Sequence, residues 1–176
     1  LKNVSLQVRA GEIVGLGGLD GQGQRELLLS LFGVLRGCSG DVLIDGKKVT
    51  LRGPRDAKGD SVGMALIPED RKTEGLMLPM SVRDNLSLAS LKRFSRGGMV
   101  DRAAENKAID EMIALLAIKT DGIAVPAGSL SGGNQQKVVI AKWLMRRPRI
   151  ILLNDPTRGI DVGTKQELYQ LLRNLA

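Results

Sequence analysis

Three stretches carry residues whose types and spacing could handle a phosphorylated ligand. The first is Gly17-Gly18-Leu19-Asp20-Gly21-Gln22-Gly23, set between a short apolar run and a segment of helical periodicity. Glycines let a backbone approach phosphate oxygens, and the bare N–H groups of a helix start point at the anion. The usual form of such a cradle is G-x-x-x-x-G-K-[ST]. Gly18 and Gly23 have that separation, with Gly21 between them, but Gln24 and Arg25 stand where Lys and Ser or Thr belong, and Glu26 follows. A plain Gly-rich turn explains this segment equally well. The second stretch is Leu130-Ser131-Gly132-Gly133-Asn134-Gln135-Gln136-Lys137, where a hydroxyl and two glycines open a helix. Helix capping explains Ser131 but not the whole octet. The third runs from Ile150 to Asp161, where Asn154 and Asp155 follow an apolar run. Acidic groups at the C-terminal end of a buried strand are where α/β enzymes place metal and catalytic chemistry; an Asp opening a turn before Pro156 is the plainer reading.

The elements that must position these residues follow from periodicity. Alternation in 3–9 (Val4, Leu6, Val8) predicts a half-buried strand, and 12–16 a second short strand. Leu27, Leu28, Leu31 and Phe32 predict a helix after the Gly loop. Asp45-Gly46 predicts a hairpin between 41–44 and 47–51. Residues 61–67 read as a strand ended by Pro68. From about 81 to 147 the pattern is helical, with Ser81 and Ser131 as caps, and 94–100 reads as a basic surface loop. Residues 150–153 predict a parallel strand buried on both faces, and 164–175 an amphipathic helix. The order predicts an α/β fold with an inserted helical lobe.

Composition narrows the chemistry. The 176 residues suit one domain and need no disulfide or metal staple. No apolar run approaches a membrane span. With one cysteine, Cys38, and no histidine, disulfide frameworks, histidine metal sites and Ser-His-Asp triads are excluded within this sequence. Four aromatics offer few stacking platforms for single strands. The 26 Lys and Arg against 19 Asp and Glu give a net charge of +7, which suits phosphate ligands, nucleic acid or anionic lipid. Arg93, Arg96 and Arg102 read as a solvated face, Arg146, Arg147 and Arg149 as cations at a helix C-terminus, and Trp143 as core. The sequence starts at Leu1 and stops within a helical pattern, so it reads as a piece of something longer.

Taken in this order, the three stretches resemble the nucleotide-binding cassette of ABC transporters, with Walker A, signature motif, Walker B and D-loop in turn. The likeness covers nearly the whole chain. Pro68-Glu69-Asp70-Arg71-Lys72 followed by Glu74-Gly75-Leu76 is similar to the second, C-terminal cassette of double-cassette ATPases that drive bacterial monosaccharide import. The resemblance implies a P-loop NTPase fold: a parallel core sheet with a β subdomain (1–74 and 148–176), a helical lobe (75–147) carrying the signature, and the last core strands missing. It implies ATP and Mg²⁺ as cofactors, two cassettes closing face to face on two ATP molecules, and membrane permease subunits with a solute-binding protein as further partners. No nucleic acid is expected, and the place is the cytoplasmic face of the cell membrane. The adenine-stacking aromatic and the switch histidine of the family are expected outside 1–176.

Against that pattern the chain departs at its own Walker positions. Gln24 replaces the phosphate-contacting Lys, which alone predicts a ten- to hundredfold loss of affinity, since a charge-assisted hydrogen bond contributes about 1.5–3 kcal/mol. Arg25 replaces the Mg²⁺-holding hydroxyl. Asn154 stands at the Walker B metal position, where a neutral amide offers no charge to the ion. Asp155 stands for the catalytic Glu, one methylene short, and Glu69 for the Gln of the Q-loop. Ser131, Gly132 and Gly133 keep the signature and are expected to complete an ATP site on a partner cassette, with Asp161 as the D-loop acid. Arg25 is either a replacement cation that frees binding from Mg²⁺, or simply pairs with Glu69, Asp155 or solvent. Three functions stay open: an importer cassette with an impaired site of its own, a scaffold that binds no nucleotide, and a soluble ABC-type protein acting on nucleic acid or ribosomes.

Overall fold

Asp45 and Gly46 both take positive φ, 52° and 72°, and close the expected hairpin between β1 (Val42–Ile44) and β2 (Lys47–Val49). Positive φ at both central residues matches the turn to the right-handed twist of the strands. The computed structural model describes residues 2–19 and 21–176; Leu1 and Asp20, the latter within the Gly loop, lie outside the described residues. Helix α1 (Gln24–Leu31) follows the Gly loop, and a short α2 (Pro54–Ala57) follows the hairpin. Strand β3 (Met64–Ile67) is buried throughout.

The helical region holds α3 (Val82–Ser87), a 3₁₀ turn (Leu88–Ser90), α4 (Leu91–Phe94), α5 (Arg102–Leu115) and α6 (Gly132–Leu144). The expected loop over 94–100 instead contains a small antiparallel pair, β4 (Ser95–Arg96) with β5 (Met99–Val100). Gly97 and Gly98, at φ 57° and 83°, supply the turn that composition alone left shapeless. Strand β6 (Ile150–Leu153) and α7 (Val162–Leu175) complete the order.

Strands β3 and β6 pair in parallel, Met64 opposite Ile150 through Ile67 opposite Leu153. Their C-terminal ends deliver Glu69 and Asn154 to the same edge. Only Leu152 of β6 is buried, so the expectation of two covered faces is corrected: among the described residues β3 is its one ladder partner. A second correction concerns 3–9 and 12–16. Neither forms a strand, and Val4, Leu6, Val8, Ile13, Val14 and Leu16 are exposed. Alternation supplies a face but not a neighbour; a strand exists only through ladder hydrogen bonds to another segment, and no described strand runs alongside.

Two apolar clusters hold the elements. One gathers Phe32, Ile44, Ala57, Val62, Met64, Leu66 and Leu152; the other gathers Val82, Leu86, Ile109, Val138, Val139 and Ile140 with Ile67 and Leu168. Trp143 packs against both and meets Phe32 edge to face, ring centroids 5.8 Å apart, as its reading as core expects.

Candidate phosphate-site geometry

The Gly loop ends at Gly23, φ 106°, and α1 starts there with no side chain capping its first N–H groups. Gly21 also has positive φ, 78°. A glycine-borne, uncapped helix start can receive phosphate oxygens. The Gln24 side chain lies across the loop. Its Nε2 lies 3.5 Å from the Leu19 carbonyl oxygen, and a Cβ on Gly18 would fall 2.0 Å from that nitrogen. An anion here meets backbone and amide N–H donors, not the ammonium of a Lys. These donors are of the kind that suit phosphate oxygens.

Mg²⁺ fits poorly. Among the described residues no cluster of three or more His, Cys, Asp or Glu could hold a metal ion. Asn154 donates its backbone N–H to the Ile67 carbonyl at 3.0 Å, continuing the ladder and presenting a neutral amide at the strand end. Asp155 is exposed and sits at φ 38°, a left-handed turn that Asp tolerates better than most residues; its carboxylate accepts from Thr157 Oγ1 at 3.3 Å.

Arg25, half-buried in the first turn of α1, pairs with Glu74 at 2.8 Å and approaches Glu69 at 3.9 Å. Arg158, from the loop after β6, pairs with the other oxygen of Glu69. Two guanidinium groups and two carboxylates thus neutralise one another beside the Gly loop. Of the partners expected for Arg25, Glu69 is present and Asp155 is not among its ion pairs; Glu74 is the stronger contact and escaped sequence reasoning. Glu26 is exposed, and its carbonyl accepts from Ser30 Oγ at 2.6 Å. These exposed pairs contribute little stability; their effect is to occupy the cations.

At the second stretch, Ser131 caps α6 by accepting from the Asn134 N–H at 3.4 Å and from Asn134 Nδ2 at 3.0 Å. The rest of the octet has local tasks as well. Asn134 accepts from the Lys119 N–H at 2.8 Å. Buried Gln135 donates to the carbonyl of Leu130 at 3.0 Å, and to those of Ala127 and Gly128 at 3.4 Å. Lys137 spans Ala117 and Glu167. Side chains of this chain close over Gly132 and Gly133: a Cβ would fall 2.8 Å from Arg71 Nη2 in the first case and 2.8 Å from Thr164 Oγ1 in the second.

Asp161 caps α7. Oδ1 accepts from the Thr164 N–H at 2.9 Å and Oδ2 from Thr164 Oγ1 at 2.8 Å, and these bonds hold its carboxyl below the usual range. The Asp-x-x-Thr spacing could have exposed that cap in sequence. The arginines read as a solvated face or as dipole partners are corrected in part. Arg93 reaches the Met145 carbonyl, Arg102 pairs with buried Glu105 at 2.7 Å, and Arg146 donates to the carbonyls of Ala89 at 2.8 Å and Lys58 at 2.6 Å. Arg149 pairs with Asp45 at 2.5 Å. Arg102 meets its partner three residues on within α5, whereas the planar multi-donor heads of Arg93, Arg146 and Arg149 tie segments that are remote in sequence.

Lys142, on α6, is the one strongly perturbed base among the described residues. Its Nζ donates to the Gly75 carbonyl and lies 5.8 Å from the Trp143 ring centroid; burial pushes its pKa down to about 8. The folded value lies below the unfolded one, so the native state binds fewer protons between them. The burial cost is therefore full below about pH 8 and is relieved as pH rises to about 10.5. Lys142→Met should remove this rise, on the order of 3 kcal/mol across the window. Urea unfolding of both proteins over that range checks it: curves that stay parallel refute it.

A family model described as ABC transporter matches residues 1–158. The chain belongs to the ABC transporter family. The cassette is 75% identical over 176 residues to Ribose import ATP-binding protein RbsA 1 of Mesorhizobium japonicum, and 70% identical over 176 to the protein of the same name in Rhizobium johnstonii. Both matches cover 100% of this chain and 34% of the relative, so the cassette spans about a third of the relatives' length. Among solved structures it is similar to a dimeric post-hydrolysis state of the ATP-binding cassette MJ0796 bound to ADP and Pi. That likeness has a TM-score of 0.79 at 28% identity and covers 99% of this chain and 74% of the other. The fold is the P-loop NTPase ABC cassette, α/β with a parallel sheet. No helix among the described residues is long and apolar enough to cross a membrane.

Proposed function

We propose that this cassette is the second, C-terminal one of a double-cassette ATPase that energises sugar import, ribose by analogy with its relatives' names. Its own ATP site is impaired, and its signature completes a site held by the partner cassette. The observation that carries this reading is the contrast between its two phosphate-facing helix starts. Beside α1 the cations are spent on Glu69 and Glu74, Gln24 lies across the loop, and Asn154 and Asp155 give Mg²⁺ little support. At α6, Ser131, Gly132 and Gly133 keep the motif on a capped helix of ordinary geometry.

In this reading Gly18, Gly21, Gly23, Gln24 and the first N–H groups of α1 hold ATP phosphates weakly. Asn154 stands at the Walker B metal position as a neutral amide, and Asp155 and Glu69 occupy the positions of the catalytic Glu and the Q-loop Gln. Bound ATP supplies the hydrolysable phosphoanhydride, and this chain's contribution to it is binding and orientation. Residues 1–74 and 148–176 form the core with a β subdomain, and 75–147 the helical lobe, the two joined where Ile67 and Leu168 pack with Val82, Leu86 and Ile109. Permease subunits and a solute-binding protein complete the assembly at the cytoplasmic face of the membrane. Arg71, Arg93, Arg102, Arg146 and Arg149 spend donors on this chain's own carbonyls and carboxylates, which weighs against a nucleic-acid surface.

The pairing of Arg25 favours a second reading, a scaffold that binds no nucleotide and only donates its signature. Titration of ATP into the full-length protein, with the partner cassette's own nucleotide site disabled, separates the two. Weak binding that changes less than about threefold on removing Mg²⁺ is expected for a retained, metal-poor site. Absence of binding in both conditions makes the cassette a scaffold.

A further inference from the structure

Arg71 is the first residue of a π turn, Arg71–Gly75, that lies between the Gly loop's ion pairs and the start of α6. Its guanidinium is a fork on two consecutive carbonyls: Nη1 donates to the Arg158 oxygen at 3.0 Å and Nη2 to the Gly159 oxygen at 3.2 Å. The same head fills the space over Gly132, where a Cβ would fall 2.8 Å from Nη2, and one on Gly159 would fall 3.3 Å from Nη1. Gly133 meets the other end of that loop through Thr164, whose hydroxyl is held by Asp161. Two successive glycines of α6 are therefore pressed against the 158–164 segment, one through Arg71 and one through Thr164.

The support of Arg71 is itself pinned. Asp70 caps the turn, accepting from the N–H of Lys72 at 2.8 Å and of Thr73 at 3.3 Å. Gly75 closes it against α6, where a Cβ would fall 2.9 Å from Val139 Cγ2, and Lys142 binds the Gly75 carbonyl. We infer that Arg71 is a positioning residue that holds the Asp161-bearing D-loop in register with the first turn of the signature helix, so that Gly132, Gly133 and Asp161 approach the partner's nucleotide as one unit. A lysine cannot replace it, because a single ammonium does not span two carbonyls in a fixed plane.

This inference rests on the proposed signature-donating role, and its test has one arm that does not. In the assembled transporter, Arg71→Ala and Arg71→Lys should each lower kcat for ATP hydrolysis about 10- to 100-fold, with KM for ATP within about threefold, because the loss is of alignment rather than of nucleotide contacts. Guanidinium at millimolar concentration should restore part of the Arg71→Ala rate, and ammonium should not. Hydrogen exchange on the nucleotide-free protein should quicken at the amides of 158–164 and at the start of α6 in both variants, with α3 and α5 unchanged. Unaltered exchange at 158–164 overturns the positioning role. So does a raised KM at unchanged kcat, or equal rescue by ammonium. If ATPase activity proves insensitive to Gly132 as well, with exchange at 158–164 still quickened, the signature-donating reading fails and the structural tie stands.

Discussion

Gly132→Asp stops ATP-driven turnover of the assembled transporter, by at least about 100-fold, whereas Gln24→Glu in the Gly loop lowers it less than about tenfold. The first figure reflects what a new carboxylate does at an α6 start that is expected to face phosphate. Removing one preorganised donor from a site of developing charge costs about 10²–10³ in rate, and a repelling anion also prevents closure. Local geometry deepens the effect: the new side chain would enter space held by Arg71 Nη2, 2.8 Å from the Cβ position, and draw that guanidinium off the carbonyls of Arg158 and Gly159. The added carboxylate in the Gly loop matters less because, in the proposed reading, that site does not carry the turnover: Gln24 stands where the phosphate Lys belongs and Arg25 is already paired with Glu74. Steady-state ATPase assays of both variants in the reconstituted transporter decide the matter, with thermal unfolding to establish that each remains folded. If Gln24→Glu proves the more damaging, the asymmetric assignment of the two sites is wrong.

Gly33→Ala destabilises the fold by about 2–5 kcal/mol, lowering Tm by roughly 5–15 °C for a chain of this size. Gly33 ends the α1 segment at φ 75°, a left-handed conformation that an alanine adopts at a cost. A Cβ there would also fall 2.8–3.0 Å from the Gly53 backbone, which cannot rotate aside like a side chain. Gly33 follows Phe32 of the cluster under the hairpin, so relief by shifting the chain would loosen that cluster. Gly37→Ala is the internal control: φ is 76° but the space is open, and only the backbone part of the cost should appear. Calorimetry of the two variants separates strain from collision; equal losses would show that the close approach to Gly53 does not matter.

Much of this protein was readable from residues whose instructions act locally. Asp45-Gly46 specifies a hairpin turn by its own φ preferences, and Ser81 and Ser131 cap helices three residues ahead of their partners Asp84 and Asn134. Gly18, Gly21 and Gly23 before α1, the octet at α6 and the acids after β6 could be placed as candidates because their spacing is a property of chain order, and in the same way the departures at Gln24, Arg25 and Asn154 were visible at once. What the side chains at those positions do with one another was not visible. Arg25 lies 49 residues from Glu74, and Arg71 lies 87 and 88 from the carbonyls it grips. Such contacts depend on which strand ends meet, and the parallel pairing of β3 with β6 brings Glu69 and the 154–161 loop to one edge. The same dependence misled the reading of 3–9 and 12–16: alternation is written in the residues, but a strand is a relation to a neighbour. Sequence determined the local turns, caps and candidate chemistry, since their energies act within a few residues; only the tertiary structure decided how the cations are paired and which side chains close over Gly132 and Gly133, since those follow from through-space approach.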